Sequence, residues 1–354
     1  MDQNRYRKII GGSGGGFGVR LFRAILKPAS YSYAAVIAAR NFLYDKGYLR
    51  SHCAPVPVIS IGNITTGGTG KTPLTIWLCN KLAEKKLKVA VLTRGYKMES
   101  QKLSDEPAVI AANCSAARVV VNPDRVLGAV TAIKEYGVKV LVMDDGFSHR
   151  RLRRNVDIIT IDATCPFGYG KLLPAGLLRE PLTSLRRAHA AILTRCDLVG
   201  RVDLEDIEAQ LLAINPHLVL ARTRHAPTVA KGANINDIEL DDLAGRRVFA
   251  FSGIGNPEAF EAQLKNLKLD LAGMHVYNDH HQYMADDCAD IYEEAKYLKA
   301  DMILTTQKDW VKAAPLAPTE IPFAYLAVTL EFLTGEDIIA ALVEKSIQPD
   351  STIR

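Results

Sequence analysis

The segment ISIGNITTGGTGKTPLTIW, residues 59–77, sets glycines, a lysine and a threonine between an apolar run and a helix-like pattern. That arrangement suits a polyphosphate. Residues 56–61 cluster β-branched side chains as a buried strand does. Gly67, Gly68 and Gly70 remove Cβ atoms, so backbone N–H groups can approach phosphate oxygens closely. Thr72 and Pro73 then open a helix whose N-terminus favours the same anion. Thr65, Thr66 and Thr69 complete the loop, Lys71 is spaced to reach β- and γ-phosphates, and the Thr72 hydroxyl to face Mg²⁺. The spacing departs from G-x-x-x-x-G-K-[ST] at one place, where Thr65 replaces the first glycine.

Carboxylates form the second group. In VKVLVMDDG an aliphatic run ends in Asp144 and Asp145, at the strand end where ligands sit in open α/β sheets. Beside a phosphate loop such acids hold Mg²⁺ directly or through water; the plainer reading is a pair capping the next turn. Asp105 and Glu106 precede Pro107, and from spacing alone they decorate a helix N-terminus. His280 and His281, in YNDHHQY, have no third ligand at metal spacing and read as a structural pair. The HRRLRR run at residues 149–154 either meets an anionic ligand or is a solvated charged face.

These residues need a scaffold. From residue 55 onward apolar strands alternate with amphipathic helices: VPVISIG, KVAVLTRG, ARVVVN, VKVLVMDDG, VDIITID and AAILTR. That alternation predicts an α/β fold, a mostly parallel sheet of the P-loop NTPase type with helices on both faces. A second series, RRVFAFSGIG, LAGMHVYNDHHQY, ADMILTTQKDW and FAYLAVTL, predicts a smaller C-terminal α/β lobe. Weak patterns between residues 199 and 245 place the boundary there. The expected organisation is a basic segment at 1–50, a nucleotide-binding kinase core at 51–225, and at 226–354 a lobe that closes over the site.

The 354 residues are 48% hydrophobic and 23% charged, as in ordinary globular proteins. Six cysteines without a C-x-x-C pair point to a reducing compartment, and against a disulfide framework or a zinc site. No cleaved leader is expected, since no small-residue cleavage site follows an apolar core. Residues 1–50 hold nine Lys or Arg against two acids, a net of +7; with +5 for the chain, the other 304 residues carry −2. Apolar residues interleave with these bases, which suits an amphipathic helix lying in an anionic membrane surface. Its longest uncharged run, residues 28–39, is too short to span a bilayer. A helix packed on the body with its bases outward is the alternative, and a nucleic-acid tail fits poorly with so many apolar residues. The glycine-rich stretch at residues 11–18 has no strand before it and reads as a flexible entry.

Taken together, VPVISIGNITTGGTGKT, LTRGYK, DEP, DDGFSHR, LLPAGLLREPLTSLRRA, DHHQY and TTQKDWVK resemble, in order and over nearly the whole chain, the tetraacyldisaccharide 4′-kinases of lipid A synthesis. The resemblance implies transfer of the γ-phosphate of ATP, with Mg²⁺, to the 4′-hydroxyl of the lipid A disaccharide-1-phosphate precursor. It also implies work at the cytoplasmic face of a bacterial inner membrane, with no obligate protein partner evident. It makes Lys71 and Thr72 the phosphate-loop pair, Asp144 and Asp145 the magnesium-associated acids, Asp105 the base, His280 its partner from the other lobe, and Arg179 a substrate- or phosphate-side residue. Ser148 stands where the family has glutamine, and Asn278 where proline is common.

Two other classes are weaker. Partitioning or targeting ATPases carry a lysine just before the two glycines, where this chain has Thr66; a GTPase needs N-K-x-D, where TTQKDW has Gln307 and an early Asp309. A soluble small-molecule P-loop kinase leaves the N-terminal segment unexplained.

Overall fold

Aliphatic runs become strands, and the periodic stretches between them become helices. The computed structural model describes residues 3–12, 16–95, 105–232, 236–318 and 320–348. Tyr96 and Lys97 of LTRGYK, Leu103 and Ser104, and residues 13–15 of the glycine-rich stretch lie outside the described residues. Two helices come first, α1 (Gln3–Ile10) and α2 (Phe17–Asp45). Then follow β1 (Val58–Gly62), α3 (Lys71–Glu84), β2 (Val89–Thr93), α4 (Asp105–Asn113), β3 (Ala117–Val121), α5 (Arg125–Tyr136), β4 (Val140–Asp144), β5 (Val156–Asp162), β6 (Ala190–Thr194), α6 (Arg201–Ile214) and β7 (Val219–Gly232). The remainder is β8 (Ile238–Glu239), α7 (Leu240–Leu243), β9 (Arg247–Ser252), α8 (Pro257–Asn266), β10 (Asp270–Val276), α9 (Ala285–Tyr297), β11 (Met302–Thr306), α10 (Gln307–Ala313), β12 (Phe323–Thr334) and α11 (Glu336–Ile347).

The chain forms two units. Unit 1 comprises residues 1–102, 110–224 and 331–354; unit 2 comprises 103–109 and 225–330. In unit 1 the strand order is β3-β2-β4-β1-β5-β6-β7, all parallel. The chain leaves β1 for β2 and β3 on one side, returns to place β4 against β1, and then crosses to β5. Ligands of open parallel sheets bind at such a reversal, outside the carboxyl ends of the strands. Strands β1, β2, β4, β5 and β6 are buried along their length, as both covered faces require. One core contains Ile64, Phe147, Ile159, Ile161 and Leu193; another contains Leu92, Leu141, Met143 and Ala132.

In unit 2, β10-β9-β11-β12 run parallel, with β12 beside β7 and β8 antiparallel to β7. Phe249, Phe251, Ile291 and Ile303 fill one side of this sheet, and Val248, Ala250, Leu264 and Leu304 the other. Residues 105–109 belong to unit 2, not to the kinase core in which the sequence placed Asp105. The first turn of α4 is bound by side chains of unit 2, described below.

Helix α2 packs on unit 1 through polar groups more than through apolar ones. Ser30 Oγ donates to Leu172 O at 2.8 Å and Tyr33 OH to Arg179 O at 3.0 Å. Farther along, Glu180, which is fully buried, receives Arg40 at 2.5 Å, Asn41 Nδ2 at 3.0 Å and Ser184 Oγ at 2.9 Å. The opposite face stays in solvent: Phe17, Leu21, Ile25, Tyr31, Val36, Phe42 and Leu43 are exposed. Among the described residues no helix is long and apolar enough to cross a membrane.

Candidate active site

The phosphate loop of unit 1 turns between the end of β1 and the start of α3. Gly67 (φ +108°) and Gly70 (φ +87°) take left-handed backbone that a Cβ would strain, and Gly70 caps α3 immediately before Lys71. Thr65 sits in extended pairing opposite Leu178, so the position usually given to the first glycine needs no glycine here. Thr66 N donates to Leu177 O at 2.8 Å. The Thr69 hydroxyl accepts from Asn63 Nδ2 at 2.9 Å and lies 2.7 Å from Thr160 Oγ1, while Thr194 Oγ1 donates to Thr69 O at 3.0 Å. Arg195, paired with Asp162 at 2.5 Å, donates to Gly68 O at 2.8 Å. These bonds fix the loop before any ligand arrives, which is how preorganised donors avoid reorganisation cost.

Register places Asp144 opposite Ile61, beside the loop. Its carboxylate is buried and accepts from Thr75 Oγ1, one turn into α3, at 3.3 Å. Asp145 follows in left-handed backbone (φ +50°). Arg179 grips it with both terminal nitrogens, at 3.1 and 3.0 Å, and Lys71 Nζ is 3.6 Å away. Burial pushes the Asp145 carboxyl up, but Lys71, Arg179 and Arg125 outweigh it and hold it at about 2. Buried Arg125 donates to Asn122 O at 3.1 Å and to Asp144 O at 3.5 Å, tying α5 to the same strand end. Lys71, Thr72, Asp144, Asp145 and Arg179 are thus positioned by elements of one unit.

The donor set fits Mg²⁺. The Thr72 hydroxyl and the Asp144 carboxylate are hard oxygen donors next to a phosphate cradle. Among the described residues no group of three His, Cys, Asp or Glu side chains is assembled to hold a metal. A site of one or two protein oxygens completed by phosphates and water is the kind Mg²⁺ accepts.

Unit 2 carries the second cluster. Asp105 opens α4, and its Oδ1 accepts from Glu106 N at 3.1 Å. Its Oδ2 lies 2.9 Å from His280 Nδ1 and 3.5 Å from Lys312 Nζ. His280 is in left-handed backbone (φ +61°), with its N–H donating to Gly253 O at 3.1 Å. Fully buried Asp309 accepts from Gly253 N at 3.0 Å and from Thr306 Oγ1 at 2.7 Å, and lies 3.5 Å from Lys312. Lys308 meets Glu106 at 2.5 Å. Burial pushes Asp105 up, yet the bond from His280 and the charges of Lys308 and Lys312 outweigh it and hold the carboxyl well below the usual range. The same bond raises His280 above its ordinary value, against the burial that lowers it. His281 plays a different part: it reaches Asp287 at 3.0 Å and stacks on Tyr277, which ties it to the start of α9.

The structure thus brings Asp105 and His280 together in unit 2, and gathers the loop, Asp144, Asp145 and Arg179 in unit 1. Sequence reading missed Lys308 and Lys312, whose four-residue spacing on α10 puts them on one helix face. It also missed Asn63, Thr160, Thr194 and Arg195, polar residues at the ends or interiors of apolar strands.

Comparison with known proteins identifies the family. The family described as Tetraacyldisaccharide-1-P 4′-kinase matches residues 22–348. The tetraacyldisaccharide 4′-kinase of Syntrophus aciditrophicus (strain SB) is 37% identical over 336 residues, covering 87% of this chain and 89% of the relative. That of Anaeromyxobacter sp. (strain Fw109-5) is 36% identical, covering 89% of each. A crystal structure of the "apo" form of LpxK from Aquifex aeolicus in complex with ATP superposes with a TM-score of 0.71 at 29% identity, over 92% of this chain and all of that one. The chain belongs to the tetraacyldisaccharide-1-P 4′-kinase family.

Proposed function

We propose that this chain transfers the γ-phosphate of ATP to the 4′-hydroxyl of the tetraacyldisaccharide-1-phosphate precursor of lipid A, with its two clusters dividing the work. The observation that carries the reading is the family match over residues 22–348, which includes the phosphate loop and the Asp105, Asp144, Asp145, Arg179 and His280 positions. The same match favours a kinase over a switch ATPase.

The loop from Thr65 to Thr72 holds the triphosphate with backbone N–H groups, and Lys71 neutralises charge on it. Asp145 keeps Lys71 and Arg179 aimed at the strand end. Mg²⁺ would be held by Thr72 and Asp144, with Asp145 adjoining; when bound it supplies charge neutralisation on the phosphate oxygens. Asp105 accepts the proton of the sugar hydroxyl. A carboxylate held so far below its usual range is a weak base, and that suits a loose transfer whose proton departs late. His280, whose charged form the same contact favours, orients it.

The exposed apolar face of α2, edged by Arg20 and Lys27, is the part that lies in the anionic cytoplasmic surface of the bacterial inner membrane, where an acylated acceptor resides. No protein partner is required by this scheme.

Replacing Asp105 with Asn tests the assignment. Lipid phosphorylation falls by roughly 10²- to 10⁴-fold while ATP affinity holds; full activity in the variant removes the base from the mechanism. Aspartates at Leu21 and Ile25 reduce partitioning onto anionic vesicles without changing activity on micellar acceptor. Unchanged partitioning refutes the membrane role of α2.

A further inference from the structure

The HRRLRR run is not used by the chemistry above. We propose that it builds a second anion site, a depression that binds the phosphate headgroup of an anionic membrane lipid. The site lies in unit 1 at the edge opposite the phosphate loop. Arg50 precedes β1, Arg153 and Arg154 precede β5, and Arg187 precedes β6, whereas the loop follows the end of β1. These four arginines and Arg150 line a cavity of about 550 Å³.

Five guanidinium groups there face two carboxylates, Asp45 and Asp157. Arg150 pairs with Asp45 at 2.6 Å and Arg154 with Asp157 at 2.9 Å. Arg187 lies over the Phe147 ring and 3.6 Å from Glu180, with its Nε and Nη2 making no hydrogen bond. Among the described residues Arg50 and Arg153 have no carboxylate partner. Two of the five guanidinium groups thus lack a counter-charge, and a phosphate with several acceptor oxygens matches them. A lipid phosphate fits better than a free one because apolar side chains join the wall. Tyr44 and Leu49 line it, and Phe42, Leu43 and Tyr48 beside it are exposed. These residues belong to or follow the last turn of α2, so headgroup site and apolar face are contiguous. The proposal rests on the reading of α2 as a membrane-surface helix.

The test uses the full chain with phosphatidylcholine vesicles, with or without a minor fraction of phosphatidate, by sedimentation. The wild type prefers the anionic vesicles. Arg50→Gln with Arg153→Gln, both exposed and outside the catalytic machinery, lowers that preference by roughly 10- to 30-fold. The same variant keeps its activity on micellar acceptor within about twofold. Lys265→Gln with Lys268→Gln removes equal charge elsewhere and leaves the preference intact. Equal losses in both double variants, or none in the first, overturn the site. Wild-type binding equal on both vesicle types overturns it while sparing the membrane role of α2; binding to neither overturns both, and the micelle assay still judges the kinase reading. Inorganic phosphate at matched ionic strength leaves the preference in place. If it abolishes the preference, the ligand is a free anion and the lipid assignment falls.

Discussion

Asp105 and His280, 175 positions apart in the chain, meet at 2.9 Å through Oδ2 and Nδ1 within one unit. Each moves the other toward its charged form, Asp105 downward and His280 upward.

That pair sets a pH window. Because Asp105 titrates below its usual range, the pairing survives acidification until the pH falls through that lowered value. Because His280 titrates above its ordinary 6.5, the pairing is intact below 6.5 and is lost as the pH rises through the raised value. The kcat/KM profile for lipid phosphorylation therefore shows no limb from Asp105 near pH 4, and an alkaline limb that His280→Gln removes. An alkaline limb unchanged in that variant assigns it to another group.

Lys312 carries a second prediction. Its side chain is mostly buried, shared between Asp105 and Asp309, and set over the Tyr283 ring. Lys312→Met takes away one of the charges that keep Asp105 ionised, so kcat falls by about 10-fold or more and an acid limb rises toward the usual carboxylate range. Arginine at this position restores the charge and much of the rate. A variant with lower kcat but an unmoved acid limb means that Lys312 only packs.

The grip of Arg179 on Asp145 predicts a different signature. Charge-assisted bonds of this kind contribute about 1.5–3 kcal/mol, so Arg179→Ala lowers kcat/KM for ATP by roughly 10- to 100-fold. Lysine rescues poorly, because it lacks the two-pronged geometry. Equal activity in the lysine variant contradicts the positioning role.

Glu180 tests how α2 is held. Its carboxylate is fully buried among Arg40, Asn41, Ser184 and Arg187. Glu180→Ala strands those donors and costs about 3 kcal/mol, read as faster proteolysis within α2 and easier urea unfolding. Protection equal to wild type shows that α2 is held by its other contacts.

Much of unit 1 was legible because its signals are local. A β-branched run, two glycines, Lys71 and Thr72 lie within a few residues of one another, and the Asp144–Asp145 pair ends an unbroken aliphatic strand. Asp105 was bland from spacing alone because its significance comes from His280 and Lys312, distant in sequence. The family resemblance supplied the pairing that periodicity withheld. Glu180 was unreadable for the same reason, since Arg40 and Asn41 reach it from about 140 positions away. Helix α6 and strand β7 fell in a region of weak pattern: β7 is mostly half-buried, so its side chains lack the clean alternation that marks a one-sided strand. In the grouping of residues 105–109 with unit 2, Asp105 meets His280 and Lys312, partners so distant in sequence that no window reports them.

The most direct measurement supplies purified protein with Mg²⁺, γ-labelled ATP and acyl disaccharide-1-phosphate in detergent micelles, beside a control without acceptor. The account predicts label in the lipid at the 4′-position, reduced roughly 10²- to 10⁴-fold in the Asp105→Asn variant. Label released only as inorganic phosphate, at a rate indifferent to the lipid, contradicts it.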